Sequence, residues 1–175
     1  VSRGGPGLGT IQPSQADYFQ ATKGGGHGDY HFIVLAPSSV QEMCDFVGLG
    51  WDLAFKYRTP AMILADGVVG QMMEKVVLPP QRPRLTDEEV RKRCPWAATG
   101  RTPGRARNVI TSLELDSAKM EENNLRFQAT YKKIEENEVR FEEYAVDDCD
   151  YLIVAYGSIA RISQKAVEMA RKEGI

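Results

Sequence analysis

Two short apolar runs, His31 to Ala36 (HFIVLA) and Ala61 to Ala65 (AMILA), constrain this 175-residue chain more than any other feature. Each is bounded by turn-forming residues: Tyr30 and Pro37 around the first, Thr59-Pro60 and Asp66-Gly67 around the second. Brief runs of this kind are the mark of strands buried on both faces of a parallel sheet. Between them, Ser38 and Ser39 offer an N-cap, and Glu42, three residues after Ser39, completes a capping box. Val40, Cys44, Val47, Trp51, Ala54 and Phe55 then recur at helical spacing, which predicts one stripe facing the sheet. Strand, crossover helix and strand make a right-handed parallel βαβ unit, so the fold class is α/β.

The remainder is organised around that unit. Val68 to Val77 is expected to form a short helix or a last edge element. Leu78 to Arg107 holds five prolines and many arginines without a period, and reads as a connector. Met120 to Tyr144 predicts one long, mostly exposed helix, with a short strand at Asn108 to Leu113 before it. Tyr151 to Tyr156 (YLIVAY) is expected to be a third buried strand, turned at Gly157-Ser158 into a helix whose Ile159, Ile162, Ala166, Met169 and Ala170 share a face. The implied organisation is 1–78, a connector over 79–118, and a second α/β unit over 119–175. Val1 stands where an initiator Met would be, inside a glycine-rich loop, and Gly174-Ile175 would close a helix and open a strand. Neighbouring sequence is therefore expected to complete both ends, because a strand-helix pair without a following strand leaves apolar surface uncovered.

Bulk properties exclude several classes. With 42% hydrophobic and 26% charged residues the chain is globular rather than disordered. The net charge of -2 gives no global attraction to nucleic acid or membrane. Charge is uneven: 79–107 carries eight bases against three acids, and 108–150 twelve acids against five bases. The basic stretch lacks interleaved aromatics, so it reads as a solvated connector and not a nucleic-acid surface. Cys44, Cys94 and Cys149 are far apart with only two histidines to assist, which rules against a zinc or iron-sulfur site built by this chain alone. Unclustered thiols without a signal peptide fit a cytoplasmic protein, and no apolar run approaches the ~20 residues of a membrane-spanning helix.

Eight of the sixteen glycines fall in the first 28 residues, so Arg3 to Tyr30 reads as functional loop. Arg3-Gly-Gly-Pro-Gly-Leu-Gly-Thr10 exposes backbone N–H groups, yet no Gly-Lys-Ser/Thr follows and no G-x-G-x-x-G spacing occurs, so the phosphate-loop fingerprints fail. Arg3 could pair a carboxylate bidentately, or be one more surface arginine. His27, in Gly24-Gly-Gly-His27-Gly28-Asp29, could act as acid or base near neutral pH, or be a hydrogen-bonded loop residue. Asp66 stands where open parallel sheets place ligand groups, and is equally an ordinary turn residue. Neither a Ser-His-Asp nor a Cys-His arrangement can be argued.

The run VSRGGPGLGTIQPSQADYFQATKGGGHGDYHFIVLAPSSVQEMCDF resembles the second half of the pyrimidine-binding domain in alpha subunits of 2-oxoacid:ferredoxin oxidoreductases. NVITSLELDSAKMEENNLRFQATYKKIEENEVRFEEY and DYLIVAYGSIARISQKAVEMARKEGI resemble the connector and the opening of the transketolase-C-terminal-like domain of the same subunit, in the branch using branched-chain 2-oxoacids or 2-oxoglutarate. The resemblance implies oxidative decarboxylation of a 2-oxoacid on thiamine diphosphate, with electrons passing through iron-sulfur clusters to ferredoxin and release of an acyl-CoA. Arg3 matches the arginine that holds the substrate carboxylate in related pyruvate enzymes, although the Gly-Gly-Pro after it departs from that branch. Gly4, Gly5, Thr10 and Gln12 would line the same pocket, and His27 and Asp29 would lie at its rim near the cofactor. By the same resemblance, the glutamate that activates the aminopyrimidine lies upstream of Val1. The diphosphate and magnesium motif belongs to a partner beta subunit and the cluster ligands to partner chains, the gamma and delta subunits among them. The chain alone is then expected neither to turn over substrate nor to retain cofactor. Competing readings are a non-catalytic module whose Gly-rich loop and charged helix around Glu121 to Glu143 only bind a partner subunit, and a nucleotide-binding domain.

Overall fold

A computed structural model describes residues 2–12, 14–101 and 103–175; Val1, Pro13 of the loop read as functional and Thr102 of the connector lie outside them. The elements are α1 (Tyr18–Lys23), β1 (Ile33–Leu35), α2 (Val40–Tyr57), β2 (Ala61–Ile63), a 3-10 turn (Val69–Gln71), α3 (Asp87–Arg93), α4 (Ser117–Glu138) and α5 (Gly157–Lys172). The chain divides into two compact units, Val1–Leu78 together with Asn124–Ile175, and Pro79–Asn123.

In the first unit β1 and β2 pair in parallel, Ile33 with Ala61, Val34 with Met62 and Leu35 with Ile63, with α2 as the crossover. Ile33, Leu35, Leu53, Ala65 and Val69 form its buried core. Ser39 caps α2 by accepting the Glu42 N–H at 3.1 Å. The Glu42 carboxylate reaches one residue further back than a capping box requires, accepting from the N–H and hydroxyl of Ser38 at 2.7 and 2.8 Å.

The stripe expected to face the sheet does so only in part, with Val40, Cys44 and Ala54 half-buried. Val47, Trp51 and Phe55 are exposed, Trp51 at 61%. The inward face carries Phe46, Gly50, Leu53 and Tyr57, at the same helical spacing. Gly50 is why: a Cβ placed on it would sit 3.7 Å from the Ala61 Cβ and 4.0 Å from Leu35 Cδ1, so the helix approaches the strands most closely where it has no side chain. α2 thus has two apolar faces, and period alone does not choose between them.

Other expectations are corrected. Tyr151 to Tyr156 forms no strand among the described residues, and Val154 is 89% exposed. Apolar content predisposes a segment to strand, but a strand exists only with a hydrogen-bonding neighbour. The segment Asn108 to Leu113 is likewise unpaired. Within Val68 to Val77, of the two outcomes expected, the short helix forms, as a 3-10 turn over Val69–Gln71. The long charged helix starts at Ser117, where Asp116 accepts the N–H groups of Ala118 and Lys119, and ends at Glu138 rather than Tyr144. The helix after Gly157 forms, with Ile162 and Met169 of its apolar face exposed.

The second unit contains α3, absent from the aperiodic reading of this stretch. Thr86 and Glu89 form a reciprocal capping box, acids occupy the first turn and Arg91, Lys92 and Arg93 the last, matching the helix dipole at both ends. Beyond it Arg105 binds the carbonyls of Pro95 and Ala97 and the Thr99 hydroxyl, and Asn108 donates to the Pro95 carbonyl at 2.7 Å. Cys94 is buried here.

Candidate functional site

The carboxyl ends of β1 and β2 are where backbone from distant parts of the first unit converges. Ser2 extends this edge: its N–H donates to the Ala65 carbonyl at 2.8 Å, and its own carbonyl accepts the Gly67 N–H at 3.0 Å. Its hydroxyl donates to the Ser14 carbonyl at 3.0 Å, and Ser2 is buried. The glycine-rich loop therefore starts from a fixed anchor. Thr10 closes it by donating its N–H to the Gly4 carbonyl at 2.8 Å. Gly9 is required for this closure: its φ is +66°, and a Cβ there would lie 1.8 Å from the Gly4 oxygen.

On this loop Arg3, Gly5, Thr10 and Gln12 are exposed and Gly4 is half-buried. The Arg3 N–H donates to the Asp17 carboxylate over 3.4 Å, while its guanidinium makes no hydrogen bond or ion pair to another described residue. An arginine held at its backbone and open at its head can receive a planar anion through two parallel hydrogen bonds.

Asp66, expected either as a ligand group or as a turn residue, is a buried fastener, 4% exposed. One carboxylate oxygen accepts the Val68 and Val69 N–H groups at 2.9 Å each; the other accepts the Ser158 N–H at 3.3 Å. Burial pushes this carboxyl up, but hydrogen bonds from Ser158, Val69 and Val68 outweigh it and hold Asp66 below the usual carboxylate value. Gly157, at φ +59°, lets the start of α5 come close, since a Cβ there would be 3.7 Å from the Asp66 carboxylate. Gln15 fastens the same place by donating to the Tyr156 carbonyl at 2.8 Å. Ser158 is itself buried beside them. Residues so far apart in the chain gave no sequence signal of their meeting.

His27 and Asp29 lie elsewhere. They line a half-open cavity of about 320 Å³ with Tyr30, Arg58, Thr59, Pro60, Asn124, Phe127 and Tyr131. Arg58 to Pro60 lead into the amino end of β2, whereas Ser2 joins β2 beyond its carboxyl end. From Pro60 to Ala65 the extended chain spans about 16 Å. The structure therefore brings Arg3, Gly4, Gly5 and Thr10 together on one edge of the sheet and sets His27 and Asp29 at the other. Among the described residues no group of three or more His, Cys, Asp or Glu side chains could hold a metal ion, and no helix is long and apolar enough to cross a membrane.

Residues 1–145 match the family described as pyruvate flavodoxin/ferredoxin oxidoreductase, thiamine diphosphate-binding. The ketoisovalerate oxidoreductase subunit VorB of Methanothermobacter thermautotrophicus is 50% identical over 177 residues, covering 100% of this chain and 48% of that protein. Its counterpart from Methanothermobacter marburgensis is 49% identical, again covering 100% and 48%. The 2-oxoglutarate synthase subunit KorA of Archaeoglobus fulgidus is 35% identical, covering 100% of this chain and 49% of that protein. The chain thus spans about half the length of these relatives. No solved structure matches it. On the extent of the family match, the chain belongs to the thiamine diphosphate-binding family of pyruvate flavodoxin/ferredoxin oxidoreductases.

Proposed function

We propose that this chain is part of the alpha subunit of an enzyme that oxidatively decarboxylates a 2-oxoacid to an acyl-CoA, with ferredoxin as electron acceptor, and that Arg3 holds the substrate carboxylate. The observation that carries the proposal is the placement of Arg3. Its backbone adjoins the Ser2 anchor on the carboxyl edge of a parallel sheet, where open α/β sheets bind ligands, and its guanidinium is exposed. Gly4, Gly5, Thr10 and Gln12, on the same loop, are assigned to the same pocket. The uncovered loop backbone fits a share in binding a polar cofactor at this edge.

Thiamine diphosphate supplies the electron sink for decarboxylation. This chain supplies orientation: an arginine fork fixes the plane of the 2-oxoacid carboxylate, and with it the direction in which the keto carbon faces. Magnesium and iron-sulfur clusters are assigned to the beta and the gamma or delta subunits of a cytoplasmic complex. The higher identity to ketoisovalerate than to 2-oxoglutarate enzymes favours a branched-chain substrate. The exposed Val47, Trp51 and Phe55 of α2 support a role in subunit contact beside catalysis.

Steady-state kinetics of Arg3→Ala in the assembled enzyme test the assignment. Losing charge-assisted hydrogen bonds worth about 1.5–3 kcal/mol lowers kcat/KM for the 2-oxoacid roughly 10- to 100-fold. Arg3→Lys, a point charge in place of a fork, recovers only part of this. Unaltered kinetics with impaired assembly would remove Arg3 from the substrate site and leave the interaction reading.

A further inference from the structure

Asp17 stands at the N-cap of α1, where an aspartate ordinarily accepts an N–H from the first turn of its own helix. Its side chain makes no such bond. The carboxylate turns instead to the glycine-rich loop and accepts the Arg3 N–H over 3.4 Å. An N-cap aspartate that leaves its own helix uncapped and holds one backbone N–H elsewhere acts on the residue that owns that N–H, and here the owner is the arginine assigned to the substrate.

The segment that carries Asp17 is itself fastened on two sides. The Ser14 carbonyl accepts the Ser2 hydroxyl at 3.0 Å, Gln15 donates to the Tyr156 carbonyl at 2.8 Å, and the Tyr18 and Tyr156 rings lie 5.9 Å apart. Burial first, and then Tyr18 and Asp17, push the Tyr156 phenol above its ordinary value, which sets Asp17 close to that ring. Ser14 to Tyr18 is thus a bracket between the Ser2 anchor and the start of α5. On the loop, three successive residues are held: Ser2 by Ala65 and Gly67, Arg3 by Asp17, and Gly4 by Thr10. The guanidinium lies at the end of a long side chain, so a small rotation at the Arg3 Cα displaces the fork by much more. A two-bond match to a planar carboxylate tolerates little of that.

We propose, resting on the assignment of Arg3 to the 2-oxoacid carboxylate, that Asp17 is a positioning residue for that substrate: it fixes the Arg3 backbone and so aims the guanidinium, without touching the substrate itself. Gln15 and Tyr156 hold the bracket from which it acts, so the start of α5 bears on substrate binding through Asp17 and Arg3.

Three variants of the assembled enzyme separate this role from one in holding α1. Asp17→Asn keeps an oxygen where the carboxylate meets Arg3. Asp17→Ser caps a helix as well as aspartate does, but its hydroxyl stops one atom short of Arg3. Asp17→Ala supplies neither. The serine and alanine variants lower kcat/KM for the 2-oxoacid roughly 3- to 10-fold, the range of one lost hydrogen bond, and asparagine recovers most of it. Added to Arg3→Ala, Asp17→Ala lowers kcat/KM no further, because it acts only through that side chain. Hydrogen exchange at the Arg3 amide reads the bond apart from activity: it quickens in the serine and alanine variants and not in the asparagine one. Serine restoring kcat/KM as fully as asparagine, additive Asp17 and Arg3 effects, or Arg3 amide exchange unaltered by alanine each overturn the proposal. Unchanged kinetics in Arg3→Ala remove the 2-oxoacid assignment, and Asp17's role with it. Weakened kinetics in Arg3→Ala beside unchanged kinetics in Asp17→Ala leave that assignment standing and remove the role of Asp17 alone.

Discussion

Replacing Asp66 by Asn separates the fastening role of this residue from a ligand role. The carboxylate accepts three backbone N–H groups, two on one oxygen and one on the other. Asn keeps one oxygen for Val68 and Val69 but turns an amide NH2 toward the Ser158 N–H, donor against donor. The loss is one charge-assisted hydrogen bond, taken near 1.5 kcal/mol because it is long at 3.3 Å, plus about 1–2 kcal/mol for a buried N–H left without an acceptor. Asp66→Asn is therefore expected to destabilise by roughly 2–4 kcal/mol at pH 7, read from the urea midpoint at unchanged m-value. The pH dependence has a definite sign. A carboxyl whose folded value is depressed stabilises the fold above its unfolded value, and that contribution fades as pH falls through the folded value. The gap between wild type and Asp66→Asn must then narrow below about pH 4. A change under 0.5 kcal/mol, roughly the scatter of ordinary surface substitutions, would refute the fastening argument.

Two further outcomes are expected. Glu138 receives Lys56 at 2.6 Å, the Tyr57 hydroxyl at 2.8 Å and Arg140 at 3.1 Å, with its side chain 6% exposed; bonds from Lys56 first and then Tyr57 bring its carboxyl down to about 2. Glu138→Gln should therefore shift the acid-unfolding midpoint, with the difference from wild type vanishing as pH drops from about 4.5 toward 2; parallel acid-unfolding curves would contradict this. Gly50→Ala places a methyl at ordinary contact distance from Ala61 and Leu35, so the gain in helix propensity of about 0.5–1 kcal/mol should raise Tm, whereas Gly50→Leu should lower it; a fall in Tm for the alanine variant would show that the helix-strand spacing is misjudged.

The βαβ unit was legible because its signals are local. The two apolar runs, the Ser39 cap and Thr59-Pro60 each act within a few residues, and β1, α2 and β2 form where they predict. The facing of α2 was not, because a helix apolar on two sides shows the same period for both, and the deciding residue, Gly50, carries no hydrophobic signal. Thr86-x-x-Glu89 did announce α3, but the prolines and arginines around it masked the cap. The unpaired Tyr151 to Val154 teaches the converse: apolar composition states a willingness to pair, and pairing depends on a neighbour the local sequence does not describe. At the candidate site, the glycine loop around Arg3 is what singled that residue out in the sequence. The meeting of Ser2, Gln15, Asp66 and Ser158 was not, since contacts across as many as 141 positions leave no periodic trace.

A sheet of two strands has no interior: β1 and β2 each carry one margin that their mutual pairing leaves over. Three pairs of residues make up its register among the described residues, and Tyr151 to Val154 leaves four large apolar side chains exposed. Open β margins recruit one another at a rate that grows with the concentration of chains, so concentration joins temperature among the variables to control with such a sheet. Dilute handling, and charged additives that discourage strand docking, follow as practical requirements for working with it.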